Sequence, residues 1–173
     1  MRRLGIIAGV VVLATALGGS PVQAEGDKSV EAVAARLVAL FAEPGPTTAA
    51  QLRERVEGGV PPGALLVLLD AYRAAPRADL VDVVQGLGAY RGVEVRARAL
   101  AAWAALGGTD AVAAIAAAAD DGEPLVRKLA VALAAAHPSA RADEIVAELL
   151  RTDPELAAHL AAESGLLVPE DPQ

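Results

Sequence analysis

The chain has 173 residues, enough for one folded domain, and its 54% hydrophobic content is mainly Ala, Val and Leu because only 2% of the residues are aromatic. Alanine and leucine favour helices, and the aromatic residues that favour strands are scarce, so the composition predicts an all-α protein. The absence of cysteine excludes disulfides, thiolate metal sites and a cysteine nucleophile, and the net charge of −7 opposes binding to nucleic acid or anionic lipid.

The first 24 residues have the layout of a secretory signal peptide. Arg2 and Arg3 precede an uncharged, mostly apolar run over 4–17, which Gly and Pro then interrupt. This run is shorter than the about 20 residues that span a bilayer, which favours cleavage over the alternative of an uncleaved membrane anchor. We therefore expect cleavage between Ala24 and Glu25, with export to the periplasm or the extracellular space. The mature chain would keep 13 basic and 22 acidic residues, a net charge of −9.

From residue 29 onward, apolar segments of 11 to 15 residues alternate with short breaks that contain Gly, Pro or acidic residues. Connections this short make successive helices lie side by side and roughly antiparallel. We divide the chain into a signal peptide (1–24), a single domain (25–163) and a C-terminal tail (164–173). The predicted helices are 29–42, 47–57, 62–75, 77–90, 92–106, 109–119, 124–137, 140–151 and 153–163.

An internal repeat with a period near 31 residues covers the second half of the chain. Residues 94–96 align with residues 125–127, with Val and Arg in common, and an apolar run follows in both copies. A third, weaker copy begins at Asp153. Such a period, made of two helices, predicts a helical solenoid, because each hairpin leaves apolar faces that only its neighbours can cover. We expect an α-α superhelix, a short right-handed solenoid of helical hairpins.

Residues 121–127, Asp-Gly-Glu-Pro-Leu-Val-Arg, and the Ala/Leu run that follows them resemble the turn and second-helix start of a short bacterial HEAT-like repeat. The resemblance extends over 77–163. It implies that Asp121 caps the second helix and that Arg127 pairs with acidic groups of a neighbouring repeat. Segment 27–76 joins this stack through its helix lengths and continuity, either as a true repeat or as a cap.

The other copies keep less of this motif. One copy retains Arg96 but has Tyr90 where the aspartate would stand. In the last copy, Arg151 and Ala157 occupy the aspartate and arginine positions. The motif therefore does not predict a continuous aspartate–arginine ladder through the stack.

The second helices of the repeats carry the candidate binding residues. Arg96, Arg98, Arg127 and Lys128 form a basic group in an otherwise acidic protein, and stacking is expected to bring them to one side. The resemblance implies that these helices line a concave surface, so the expected ligand is an acidic segment of a protein partner. The alternative is a solvated face. Trp103 is expected to fill a gap in the core, with an exposed binding anchor as the alternative.

No pattern in the sequence predicts catalysis, and no metal or cofactor is expected. His159 lies four residues from both Glu155 and Glu163, which could present a ligand set, but Glu–His pairs at this spacing ordinarily stabilise helix surfaces. His137 is interpreted as a residue at the C-terminal end of a helix, where a partly charged imidazole interacts favourably with the helix dipole. No serine lies in a nucleophile turn, and no glycine-rich phosphate loop is present.

Two functional classes follow. The first is an exported, non-enzymatic interaction module that binds a protein partner of the envelope or the extracellular space. The alternative is a helical lyase-like or ligand-binding protein, because short HEAT-like repeats also form phycobilin lyases that cradle a tetrapyrrole. The export signal, the absence of cysteine and the scarcity of aromatic residues oppose it. A third possibility is the binding of damaged DNA, as in some HEAT-like glycosylases. The negative net charge and the expected export oppose it.

Overall fold

The computed structural model describes the backbone of residues 21–163 and the side chains of residues 30–163. Every regular element in this part of the chain is a helix, so the predicted all-α class is confirmed. The predicted tail 164–173 and the predicted signal peptide, apart from residues 21–24, lie outside the described residues. The α-helices are α1 (Pro21–Ala42), α2 (Pro46–Glu57), α3 (Pro62–Ala74), α4 (Val81–Leu87), α5 (Val93–Ala104), α6 (Gly108–Ala119), α7 (Pro124–Ala136), α8 (Ala140–Thr152) and α9 (Pro154–Glu163), and a short 3-10 helix (Ala78–Leu80) precedes α4.

The observed helices differ from the predicted ones in two places. Helix α1 begins at Pro21 and so continues across the predicted cleavage point. The predicted helix 77–90 is divided into the 3-10 helix and the short α4, because Leu80 leaves the helical conformation at φ −119° and ψ 11°. Gly86 and Gly88 weaken the end of α4, since glycine is a poor helix former. The other predicted bounds agree with the observed ones to within two residues.

Proline, serine and aspartate mark the starts of several helices, and glycine allows a sharp turn between two of them. Proline stands in the first turn of α2, α3 and α7, where its missing N–H would have no partner. Ser139 Oγ accepts a backbone N–H of the first turn of α8 at 3.1 Å, and Asp153 Oδ1 does the same for α9 at 3.0 Å. Gly107 and Gly108 have positive φ angles of 76° and 53°, which lets the chain turn sharply between α5 and α6.

The helices pack in two layers. Helices α1, α3, α5 and α7 lie side by side, each against the next, and form what we call the odd layer. In the second layer, α2 contacts the 3-10 helix and α6 packs against α8. Consecutive helices such as α5 and α6, or α6 and α7, pack against each other as hairpins that join the layers. This hairpin packing is the arrangement in which neighbouring units cover each other's apolar faces.

The core has two parts that meet at α5. The N-terminal core is dominated by large side chains from α1 to α4, and the C-terminal core by alanines from α6 to α8. On α5, Val95, Ala99 and Ala102 belong to the N-terminal core, whereas Leu100 and Ala104 belong to the C-terminal core. Helix α5 is therefore buried on two sides and holds the two parts together.

Among residues 21–163, none of the helices combines the length and the apolar character that crossing a membrane requires.

Two aromatic rings, those of Phe41 and Tyr72, are buried in the N-terminal part of the protein and are not exposed at its surface. Their ring centroids lie 6.0 Å apart in a tilted arrangement within the N-terminal core.

Candidate binding surface

Arg96 lies between α5 and the turn that precedes α7. Its Nε and Nη2 donate hydrogen bonds to the two carboxylate oxygens of Asp121 at 2.6 and 2.9 Å. Its Nη1 donates to the carbonyl oxygen of Tyr90 at 2.9 Å. The side chains of Arg96 and Asp121 are only 15% and 9% exposed. The guanidinium therefore joins the start of α5 to the turn between α6 and α7, and little of it remains for a partner.

Arg127 repeats this arrangement one period later. Its Nε donates to Asp153 Oδ2 at 2.8 Å, and its Nη1 donates to the carbonyl oxygens of Asp121 and Gly122 at 3.0 and 2.9 Å. These two carbonyls lie six and five residues before Arg127. Arg96 likewise donates to the carbonyls six and five residues before it. The sequence repeat is thus also a repeat of hydrogen bonds.

We call the two pairs, Arg96–Asp121 and Arg127–Asp153, the arginine ladder. The motif did not predict it, because it placed Arg151 at the aspartate position of the last copy, whereas Asp153 supplies the carboxylate. The resemblance correctly implied that Arg127 would pair with an acidic group of a neighbouring unit.

Asp121 holds the turn before α7 and is not the N-cap that the resemblance implied. Its Oδ1 accepts the backbone N–H of Glu123 at 2.8 Å, and Glu123 is the N-cap residue of α7, with no side-chain cap. The hydrogen bond from Arg96 is the main cause that lowers the pKa of the Asp121 carboxyl. At Asp153, the backbone N–H of Leu156 and then the Arg127 guanidinium lower the pKa.

Arg98 and Lys128 lie on the exposed side of the odd layer and bond to carboxylates outside the ladder. Residues two apart on a helix point about 200° apart, so Arg96 and Arg98 face opposite ways. Arg98 Nη1 donates to Asp70 Oδ1 of α3 at 2.5 Å, and Lys128 Nζ donates to Glu163 Oε1 of α9 at 2.6 Å. The expected single stripe of basic residues is therefore not formed.

Trp103 occupies the junction of the two cores. Its side chain is partly buried and packs against both the N-terminal and the C-terminal core. Its indole Nε1 donates to Asp110 Oδ1 at 2.9 Å, which joins α5 to the first turn of α6. These contacts agree with the gap-filling interpretation, because a ring held on both sides and at its polar edge has little surface left for a partner.

The exposed side of the odd layer, which we call the open face, carries the most exposed large apolar side chains of the described residues. Val67 of α3 is 47% exposed and Leu125 of α7 is 65% exposed. Each lies three residues before a charged residue of the same face, Asp70 or Lys128, and so one helical turn away from it. Neither the repeat motif nor the charge pattern had singled out Val67, Leu125 or Asp70. The repeat could have revealed Leu125, because the equivalent residue 31 positions earlier is the charged Glu94.

At the C-terminal end of the open face, α7 and α9 leave a groove of about 360 Å³, which we call the terminal groove. Leu125, Pro124 and Leu156 provide its apolar lining. Its other lining residues are charged or titratable, and two of them, Arg127 and Lys128, are predicted binding residues. The others are Asp153, Glu155 and His159.

His159 is paired with Glu163 on the surface of α9. His159 Nε2 lies 3.3 Å from Glu163 Oε1, and its side chain is 62% exposed. Across the residues that the structure describes, no group of three or more His, Asp or Glu side chains is arranged to hold a metal ion. The Glu–His contact at this spacing is a helix-surface pair, as the sequence suggested.

A larger and open cavity of about 710 Å³ lies between α1 and α2. Arg36, Glu43, Glu54 and Arg55 line it, so both signs of charge are present, and each of the four is exposed. No buried polar group points into it, since the described residues include no buried polar or charged side chain.

A scan against models of protein families finds none that matches this chain, and searches of curated proteins and of solved structures find no match either.

Proposed function

We propose that this protein is a non-catalytic module that binds another protein through its open face and terminal groove. The observation that carries the proposal is Leu125, which is 65% exposed while Val126 and Ala130 of the same helix are fully buried. Leu125 does not stand alone, because Pro124 and Leu156 line the same groove. An apolar recess with a charged rim is typical of a surface that receives a side chain of a partner.

The proposed partner carries an apolar side chain for the terminal groove and an acidic group for the cations beside it. Lys128 and Arg98 are 35% and 40% exposed and hold their carboxylates at the surface, where a pair contributes little and can be exchanged for a partner's carboxylate. Arg96 and Arg127 are less exposed and are bonded within the ladder, and Arg127 also lines the terminal groove. The expected ligand is still an acidic protein segment, and the cations proposed to pair with its carboxylates are Lys128 and Arg98.

The same proposal includes a right-handed HEAT-like solenoid and export by the segment 1–24. The equal hydrogen-bond offsets of Arg96 and Arg127 support stacked repeats, as does the contact of each odd-layer helix with the next. The charged start and apolar run of the first residues support export to the periplasm or the extracellular space. An N-terminus at or near Glu25, measured by mass spectrometry of protein from its native host, would test export.

A lyase-like or ligand-binding role has less support. A pocket for a flat chromophore needs aromatic or apolar walls. Phe41 and Tyr72 are buried in the core, and Tyr90 and Trp103 are only partly exposed. None of these rings lines the cavity between α1 and α2 or the terminal groove.

The open face can be tested with two matched substitutions. Leu125→Glu restores the charge that the other repeat has at this position, and Ala117→Glu places the same charge on an exposed site of α6 in the second layer. We expect Leu125→Glu to weaken capture of a specific envelope partner by at least about tenfold, which corresponds to about 1.4 kcal/mol. Ala117→Glu should leave capture unchanged, and both should keep the helical circular dichroism signal. Equal capture by both variants would contradict the proposal.

A further inference from the structure

The cavity between α1 and α2, which we call the N-terminal cleft, carries charges that the fold does not use. Arg36, Glu43, Glu54 and Arg55 line it, and none of these four side chains forms an ion pair or a hydrogen bond within the described chain. Elsewhere pairing is the rule, since eight of the twelve Arg and Lys side chains that the structure describes have a carboxylate partner. Two of the four that remain line this one cleft.

The charges of α1 stand in a fixed order along one helix face. Arg36, Ala39 and Leu40 share this face, because they are three and four residues apart, and Glu43 continues it directly after the last residue of α1. Arg36 and Glu43 are therefore about two turns, or roughly 10 Å, apart along the helix axis. Ala39 is exposed between them and Leu40 is half-buried. The face thus presents a cation, a small apolar centre and an anion.

The wall that α2 contributes has the same polarity. Gln51, Glu54 and Arg55 are three and four residues apart and share one face of α2. Because α1 and α2 form a hairpin, Arg36 and Arg55 both lie away from its turn, whereas Glu43 lies at the turn. One end of the cleft therefore has two cations and one carboxylate, and the other end has a carboxylate alone.

This pattern selects the kind of partner. A small anion meets Glu43 and Glu54 in the same cleft, and a cation meets the two arginines, so neither is matched. A partner has to bring both signs at the same spacing and in reverse order. A second copy does so when it is turned by 180° about an axis beside Ala39, because its Glu43 then faces Arg36 and its Arg36 faces Glu43. Two arginines and two glutamates make the cleft neutral, so two copies of it do not repel each other.

We propose that the N-terminal cleft is a self-association surface on which α1 of one copy packs antiparallel against α1 of a second copy. Arg36 and Glu43 pair reciprocally across the two-fold axis, and the Ala39 faces meet at its centre. A contact of about two helical turns belongs to the small and weak class of interfaces, under about 1,200 Å² in total, and its exposed charges make it sensitive to salt. The cleft shares no lining residue with the terminal groove, so this surface is additional to the proposed partner site.

Charge reversal tests this arrangement in the mature chain, with whichever N-terminus the native host produces. Sedimentation equilibrium gives the average mass from about 10 μM to about 1 mM, the range in which weak interfaces form. We expect the parent mass to rise towards that of a dimer. Arg36→Glu or Glu43→Arg alone should weaken association at least about tenfold, because each creates two like-charge contacts per dimer. Arg91→Glu reverses another exposed arginine without an ion pair in the described chain, and it should associate like the parent.

The reciprocal pairing makes a sharper prediction. The double variant Arg36→Glu/Glu43→Arg should regain association, and so should an equal mixture of the two single variants, because both arrangements restore two unlike pairs. Ala39→Glu places two carboxylates at the axis and should also weaken association, without altering either charge of the pair. Circular dichroism of every variant should match the parent, since all three positions are exposed.

Three outcomes would overturn the proposal. The first is a parent that stays monomeric over the whole concentration range. The second is association that Arg36→Glu, Glu43→Arg and Ala39→Glu leave as strong as Arg91→Glu does, which would place the contact elsewhere. The third is a double variant and a mixture that stay as weak as the single variants, because the two charges then do not meet. None of these substitutions lies in the terminal groove, so their failure leaves the proposed function standing.

Discussion

The two halves of the core are stabilised by different means. Among the described side chains, 12 of the 17 buried residues of the N-terminal core are larger than alanine, whereas 7 of the 13 in the C-terminal core are alanine. Large side chains interdigitate and so determine how two helices fit, but alanine faces are smooth and let helices approach closely without selecting one register. The arginine ladder lies in the alanine-rich half, where its hydrogen bonds supply the register that shape does not.

The N-terminal half also has an arginine that bonds to carbonyls, but in a different role. Arg77 donates to the carbonyl oxygen of Phe41 and to the carboxylate of Asp79, and its guanidinium lies 5.5 Å from the centre of the Phe41 ring. Arg77 thus holds the C-terminal end of α1 against a core that is already well packed. The comparison shows that polar contacts supplement the packing in one half and replace part of it in the other.

The largest expected effect is at the N-terminal core. Leu69→Ala removes a side chain that is 1% exposed and should lower the free energy of unfolding by about 2–5 kcal/mol, because it leaves a cavity among large neighbours. Val67→Ala, two residues earlier and 47% exposed, should change it by less than about 0.5 kcal/mol. Urea unfolding followed by circular dichroism measures both. Similar losses from the two variants would contradict a core built on large side chains.

The ladder should have the next largest effect, and two neighbouring arginines make a matched pair. Arg96→Ala leaves the Asp121 carboxylate and two backbone carbonyls without their donor and should cost about 1–3 kcal/mol. Arg98→Ala breaks a surface pair and should cost less than about 1 kcal/mol. A double-mutant cycle with Asp121→Ala measures the coupling. If Arg96 and Asp121 prove uncoupled, the ladder does not set the register of the alanine-rich half.

Alkaline pH should act on the N-terminal half. Burial raises the pKa of Tyr72 to about 12, and the phenol donates to the carbonyl oxygen of Arg77 at 2.8 Å. Since the pKa is raised in the folded state, this stabilisation is complete below pH 10 and is lost as the pH rises from 10 towards 12. We expect a loss of about 1–2 kcal/mol across that window. Tyr72→Phe, measured by urea unfolding at pH 9 and 11, should remove most of the dependence; an unchanged dependence would contradict the assignment.

Acid should act on the C-terminal half, with the smallest of these effects. The pKa of Asp121 is lowered in the folded state by Arg96, so the stabilisation is present above the unfolded pKa near 4 and is lost as the pH falls below it. We expect a loss of about 1 kcal/mol from this group between pH 5 and pH 2. Asp121→Asn should show a shallower acid dependence than the parent in urea titrations. An equally steep dependence would mean that other carboxylates account for the acid sensitivity.

Much of the fold could be predicted because its signals are local. Proline, glycine and polar residues determine where helices begin and end, so eight of the nine predicted helices match α-helices of the described chain and only 77–90 is divided. The exception depends on Leu80, which turns into the core and is 1% exposed, a tertiary demand that helix propensity does not express. The candidate site was harder, because exposure and pairing depend on which helices become neighbours.

By itself, the sequence determined the all-α class, most of the helix bounds and the period of 31 residues, since composition, end signals and spacing act within a few turns of the chain. The tertiary structure decided what the charged residues do. Arg96 and Arg98 look alike in sequence, yet stacking directs one to Asp121, 25 residues on, and the other to Asp70, 28 residues back. It also left Leu125 exposed where α7 and α9 part, because only the packing of neighbouring helices determines which apolar side chains are covered.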